Sequence, residues 1–323
     1  MSTEEEISLN AIRPAVDRST RFKHMLRLFS RKRALYLMMF PGILFFLCFH
    51  YAPMYGASIA FKDYVVRKGI AGSPWADPWY KYFLQFFRSP YFSQLLGNTL
   101  IISISKLVFS VPTAIFFAVA LNEIRSTRFR RVVQTITYLP HFLSWVIVYG
   151  VLYAMLSETR GLVNMLIKST TGSSINFLSS PKWFRTVIVL SDLWKETGWN
   201  AIVYLAAIIG IDPTLYEAAR VDGAGRFQAI RHVTLPGIRS VVVIMLLLNI
   251  GALLDAGFDQ VYILYNVQVY SVGDIIDTWV YRTGLSQWNF SLASAVGLFK
   301  SVIGTMLLFM MNALARRWGE SLW

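Results

Sequence analysis

Residues 211–238 read IDPTLYEAARVDGAGRFQAIRHVTLPGI, with long apolar segments on either side. The stretch carries Glu217, Arg220, Asp222, Arg226, Arg231 and His232, and Arg239 follows just beyond it. A charge placed in hydrocarbon costs about 2.5–3.5 kcal/mol on insertion scales, so this stretch belongs in water between two membrane spans. Its pattern predicts two short helices joined by a glycine turn. Asp212 suits an N-cap and Pro213 the first helical position. Leu215, Ala218, Ala219 and Asp222 follow at helical spacing. Gly223-Ala224-Gly225 breaks that helix through a residue of positive φ. Phe227, Ile230, Val233 and Thr234 recur three and four apart on a second helix, which Pro236 closes.

Composition explains why one polar loop stands out. The chain has 323 residues, 55% hydrophobic and 15% aromatic but only 15% charged, with a mean hydropathy of +0.48. A soluble domain of that make-up would expose too much apolar surface, so an integral membrane protein is expected. A transmembrane helix needs about 20 apolar residues. Six such spans are expected at 34–59, 94–121, 132–156, 186–210, 240–264 and 292–315, with kinks at Pro112 and Pro140. The fold class is therefore an all-α membrane protein. The first apolar run is long enough to span and reads as a retained signal anchor. The lone Cys48 supports no disulfide framework, and His24, His50, His141 and His232 are too scattered to hold a metal.

Lys and Arg placement sets the topology. With the N-terminus inside, the inner segments 1–33, 122–131, 211–239 and 316–323 hold 18 basic residues. The outer loops 60–93, 157–185 and 265–291 hold 10. The bias puts both termini in the cytoplasm. It also accounts for the net charge of +13 without nucleic acid. Residues 1–33 form a cytoplasmic tail and 34–323 the permeation domain. The tail is polar over 1–20, an expected disordered segment. Over 20–33 it is basic, and Phe22, Met25, Leu26 and Phe29 share one helical face. That face fits either an amphipathic helix on the lipid surface or a plain positive-inside flank. The first outer loop crowds Trp75, Trp79, Tyr80, Tyr82, Phe83, Phe86 and Phe87. They fit short interfacial helices or a sugar-stacking platform.

Polar residues inside the spans mark the expected pathway. In the fourth span Asp192, Lys195, Glu196 and Asn200 interrupt the apolar run, and Trp194 and Trp199 add flat apolar surface. Asp192 and Lys195, three apart, share a face and can pair. Asp255 and Asp259, four apart in the fifth span, are expected on one helical face, with Lys106 and Lys300 as available partners. Such groups face protein or a water-filled cavity rather than lipid. They line a substrate pathway or form structural ion pairs. Gly251 and Gly257, and the stripe Ala293, Gly297, Ser301 and Thr305, are expected at close helix contacts.

The stretch 211–238 resembles that of a known family. Permease subunits of binding-protein-dependent ABC importers carry Glu-Ala-Ala, three residues, Gly, nine residues, Ile, one residue, Leu-Pro. Here stand Glu217-Ala218-Ala219, Gly223, Val233 in the Ile place, and Leu235-Pro236. Asp222-Gly223-Ala224 matches the form common in carbohydrate importers. The resemblance extends from about residue 34 to the end, toward maltose-permease-like subunits. Gly161-Leu162-Val163-Asn164, Ser191-Asp192-Leu193-Trp194-Lys195, Val280-Tyr281-Arg282 and Gly297-Leu298-Phe299-Lys300 look typical of the oligosaccharide-importing branch, and within it of an alginate importer's permease.

This resemblance implies a type I ABC importer permease fold in the bacterial inner membrane. It implies a second, non-identical permease subunit, two ATPase subunits that hold ATP and Mg, and a periplasmic or extracellular solute-binding protein. It assigns Glu217, Ala218, Ala219, Asp222, Gly223, Leu235 and Pro236 to the loop that docks on the ATPase. The substrate implied is an oligosaccharide or polysaccharide, and ten basic residues against five acids in the outer loops suit an anionic one. Gly297-Leu298-Phe299-Lys300-Ser301 lacks the adjacent Gly-Lys of a phosphate loop, so no nucleotide cofactor is expected in this chain. The alternative is an ion-gradient-driven secondary transporter relaying protons through Asp192, Glu196, Asp255 and Asp259. An enzyme is disfavoured, since no Ser-His or metal constellation is assembled.

Overall fold

A computed structural model describes residues 32–317 and Gly319. The polar tail and the face expected on Phe22, Met25, Leu26 and Phe29 lie outside the described residues. The chain divides at Ser58 and Ile59 into two units. In the first, α1 (Arg33–Phe46) continues past Pro41 and through a π-turn at Leu47–Tyr51. Leu37, Met38, Phe40 and Phe49 stand exposed along it, the surface of a helix made for an apolar surrounding.

The second unit is helical throughout its described elements. Its aromatic-rich loop supplies the short α2 (Lys81–Phe87), and α3 (Phe92–Glu123) is a 32-residue rod that passes through Pro112 unbroken. The expected third span is not one rod. It consists of the basic α4 (Thr127–Tyr138), a 3₁₀ turn at Leu139–Phe142 and α5 (Trp145–Leu156), bent by 106°. Pro140 opens the break, and Ser144 starts the next helix by accepting a bond from Ile147 N–H at 3.4 Å. Next come α6 (Leu162–Thr171) and the 29-residue α7 (Pro181–Ile209). Asn164 pins the loop before α7, donating to the carbonyls of Leu156, Ser157 and Ile175 and accepting from Ile175 N–H.

The interruption at 211–238 forms α8 (Pro213–Val221) and α9 (Arg226–Ala229), then a π-turn at Ile230–Thr234 and the short turn Leu235–Gly237. The fifth span is again not one rod. α10 (Arg239–Gly251) stops, 252–257 are irregular, and α11 (Phe258–Leu264) restarts after Gly257 at φ +86°. The segment α12 (Ile276–Tyr281) leads through a π-turn at Arg282–Ser286 to the final rod, α13 (Phe290–Arg316). Among the described residues three helices are long and apolar enough to cross a membrane, six if each bent pair is one span.

α7 packs lengthwise on α3 and orders the unit. Toward one end of α7, Phe184, Val187 and Ile188 join Ile102, Val261 and Ile275 in an apolar core. Toward the other, Ala201, Tyr204, Leu205 and Ile208 join Ala114, Ala118, Leu121 and Ile238 in a second core. The polar residues 192–200 fall between the two. Gly198 lets α7 pass close to the end of α4, since a Cβ there would lie 2.3 Å from the Thr137 carbonyl oxygen. The expected small-residue seam is shifted. Gly304 approaches the Gly251 carbonyl and Ala293 approaches Gly284, whereas a Cβ on Gly297 would touch nothing. Ser301 and Thr305 instead bond back to their own helix.

Candidate functional site: a membrane-level charge cluster and a projecting hairpin

Two regions hold the residues singled out from the sequence. The first is built around α7. Lys106, from α3, uses its ammonium fully: it meets Asp192 Oδ1 at 2.9 Å, the Ala256 carbonyl at 3.0 Å, and Gln260 Oε1. Gln260 is 1% exposed and returns its amide to the Ile188 carbonyl and Ser191 Oγ at 2.7 and 2.9 Å. Gly257 makes room for this, since a Cβ there would lie 2.8 Å from Lys106 Nζ. The expected Asp192–Lys195 pair is therefore not formed. A lysine on the neighbouring helix claims Asp192, and Lys195 turns the other way.

Lys195 donates to the His141 carbonyl at 2.6 Å and to Glu196 Oε1 at 3.0 Å, with its ammonium over the Trp145 ring. Glu196 Oε2 lies 2.7 Å from His141 Nδ1, which must carry the proton to donate to a carboxylate. The His141 ring stacks on Trp199 at 4.3 Å. The break at Pro140 creates this joint, because a continuous helix would have used the His141 carbonyl itself. Sequence reasoning missed His141 and Gln260 because the bonds that matter span 54 to 154 residues.

A cavity of about 240 Å³ opens on this cluster. Asp192, Glu196, Asn200 and Asp255 line it together with Ser103, Lys106, Ser110 and Asn249; the Ser103 hydroxyl is itself buried without a partner. Trp194, Trp199 and Asp259 stand exposed outside its lining, and Lys195 is buried outside it. Asp255 and Asp259 do not share a helical face. Asp255 accepts from Gly257 N–H in the irregular turn and Asp259 starts α11. Lys300 pairs with Asp277 at 2.7 Å and not with either of them.

The second region is the hairpin. Asp212 Oδ1 caps α8 by accepting from Thr214 N–H at 2.9 Å, and that bond holds its carboxyl below the usual value. α8 ends in a Schellman turn. Gly223 sits at φ +77°, Gly223 N–H reaches the Arg220 carbonyl and Ala224 N–H the Ala219 carbonyl, at 3.0 and 2.9 Å. Gln228 Oε1 accepts from Gly225 N–H at 2.7 Å and starts α9. Tyr216 OH and Thr234 Oγ1, 3.0 Å apart, tie the two arms, and Ile211 fills the space beside Gly237 at the base.

Glu217, Ala218, Asp222, Gly223, Leu235 and Pro236 are exposed, and Ala219 is half-buried. Val221 and Phe227 project farther, 88% and 76% exposed. Phe227 was expected among the spaced residues of the second helix, but the π-turn after Ala229 rotates the later positions away from it.

Residues 110–320 match the family described as binding-protein-dependent transport system inner membrane component. A polygalacturonan/rhamnogalacturonan transport system permease protein, YteP of Bacillus subtilis (strain 168), is 45% identical over 311 residues, 95% of this chain and 96% of that protein. The crystal structure of a bacterial ABC transporter involved in the import of the acidic polysaccharide alginate contains a chain that matches with TM-score 0.83 at 38% identity, over 91% of this chain and 99% of that one. A chain of the bacterial alginate ABC transporter in complex with alginate pentasaccharide-bound periplasmic protein matches equally, at 0.83 and 38%, over 91% and 98%.

Proposed function

The chain belongs to the family of binding-protein-dependent transport system inner membrane components, and from that premise we propose that it carries an acidic oligosaccharide inward, driven by ATPase subunits that grip residues 213–237. It is a permease of an ATP-driven saccharide importer and has the type I ABC importer permease fold. An ion-gradient-driven secondary transporter is set aside on the same grounds.

One observation carries the mechanism. α7 holds the polar cavity between two apolar cores, and its inner end runs directly into the hairpin. Closing ATPases would press on Glu217, Ala218, Ala219, Asp222, Gly223, Leu235 and Pro236, with Val221 and Phe227 as the apolar plug. ATP and Mg would be held by those partners and the chemistry of hydrolysis left to them. The chain would act beside a second permease, with six spans, both termini inside, and a solute-binding protein outside.

The acidic substrate is supported by the relatives: one is named for polygalacturonan and rhamnogalacturonan, and the other imports alginate. Lys106 and Lys195 are already paired, so Ser110, Asn200 and Asn249 are the groups that would meet sugar hydroxyls, with Asp192, Glu196 and Asp255 as acceptors. Trp194, Lys195, Trp199 and Asp259 complete the proposed pathway at its margins.

The test is uptake into proteoliposomes that hold the assembled transporter and its binding protein. ATP-dependent accumulation of an oligogalacturonate or alginate oligosaccharide is expected. Accumulation driven by a pH gradient in the chain alone would overturn the reading.

A further inference from the structure

A second cleft lies well away from the cavity on α7. Its volume is about 590 Å³, and its walls come from the end of α2, the start of α3 and the segment 270–292. By the charge topology this is the outer side. Three features there are independent of one another.

The first is backbone. Arg282–Ser286 forms a π-turn, and Trp288 holds φ +58°, the one positive-φ residue other than glycine among the described residues. The Trp288 side chain is 70% exposed, so core packing does not demand that conformation. Its effect is to turn Gln287 and Asn289 to the cleft while Asn289 N–H satisfies the Thr283 carbonyl at 3.0 Å. Outliers of this kind persist where a site needs them.

The second is a fixed guanidinium. Asp274, 4% exposed, holds Arg282 through both carboxylate oxygens at 3.3 and 2.6 Å, and also accepts from Thr278 Oγ1. The Tyr270 ring lies 5.0 Å beneath the guanidinium. Arg282 thus spends two of its five N–H donors and keeps three in a preset orientation.

The third is the rim. The Gln85 and Gln287 amides bond to no other described side chain or backbone group, and Tyr91 presents a ring that is 55% exposed. A flat ring, free amides and an oriented guanidinium are the groups that pack on a pyranose face, bond its hydroxyls and fork onto a carboxylate.

We infer that this cleft is an outer-mouth subsite for one hexuronate residue of the transported oligosaccharide, with Arg282 as its carboxylate contact. The inference rests on the proposed acidic-sugar import. It places a sugar contact before the membrane cavity on the inward route.

The experiment uses the assembled transporter without binding protein and a photoactivatable oligogalacturonate of defined length, followed by mass spectrometry of labelled peptides. Labelling of peptides holding Gln85 to Tyr91 or Gln287 to Asn289 is expected. Gln287→Trp, which fills the cleft, should abolish it. Arg282→Gln combined with Asp274→Asn removes the charge without orphaning a buried carboxylate. That double variant should lower labelling by the acid about tenfold while sparing its methyl ester. Wild-type transporter that takes up the sugar but is labelled only elsewhere overturns the subsite alone. Wild type that neither takes up nor binds it overturns both readings. Protection of the same peptides by sugar-free binding protein, with no sugar labelling, would make the cleft a protein contact and overturn the subsite.

Discussion

The hairpin at 213–237 and the charge cluster on α7 are both polar interruptions in an apolar chain, but they are held in opposite ways. Hairpin bonds are mostly local: cap, Schellman turn and the Gln228 bond all close within five residues, and Tyr216 with Thr234 adds one tie between the arms. Cluster bonds join side chains or carbonyls from helices far apart in sequence, such as Lys106 with Asp192 and Lys195 with the His141 carbonyl. The hairpin also leaves its charges in water, whereas the cluster satisfies its own almost completely. A locally closed device can be pushed without dismantling the fold. A device closed across helices reports every change in their packing.

The largest expected effect breaks the hairpin and spares the fold. Gly223 has open space around it but φ +77°, so Gly223→Asp strains only the turn. ATP-driven uptake should fall by about two orders of magnitude with assembly intact, the scale expected when working parts are misplaced. Normal uptake would remove the hairpin from the mechanism. Next is Asp192→Ala, which strands Lys106 in protein surroundings and should cost about 3–5 kcal/mol of stability. Adding Lys106→Met should restore most of it in a thermal melt of purified protein. Equal melting of single and double variants would show the pair to be solvated and the contrast false.

A smaller effect is expected for Tyr216→Phe, which removes one tie between hairpin arms at about 1 kcal/mol. Uptake should drop by less than about fivefold. A larger loss would mean that the arms depend on each other more than their local bonds suggest. The smallest lies outside both regions. The Lys81 ammonium at 2.7 Å, aided by the Tyr82 hydroxyl, holds the exposed Asp63 carboxyl below its ordinary 3.8. A carboxyl lowered by folding adds stability above its ordinary value and loses it as pH falls through the folded one. Melting should therefore hold steady from about pH 7 to 5 and slip below about pH 4, less so in Asp63→Asn.

The same contrast governs what could be read in advance. Asp212, Gly223 and Pro236 declare their roles through local backbone chemistry, so the hairpin was legible almost residue by residue. The π-turn after Ala229 was not, because it has no local signature. For the cluster, cost alone identified Asp192, Lys195, Glu196 and Asn200 as facing protein. Which partner each takes depends on helix rotation, so Asp192 went to Lys106 and not to Lys195. Asp255 and Asp259 misled for another reason: Gly257 adopts a left-handed conformation there and ends helical periodicity between them. His141 became a participant only through the break at Pro140, whose 106° bend no spacing could reveal.

One consequence follows from the unbroken length of α7. From Asp192 to Ile209, where α7 ends, the helix advances about 25 Å at 1.5 Å per residue. The cavity thus sits on one stiff helix whose far end adjoins the hairpin across the 69° bend at 210–212. A swing of roughly 6° about the Ile209 end would carry Asp192 sideways by ~2.6 Å, nearly the length of its bond to Lys106. Angular travel that small at the hairpin end is enough to unclasp a contact at the cavity, with no unwinding of α7 in between.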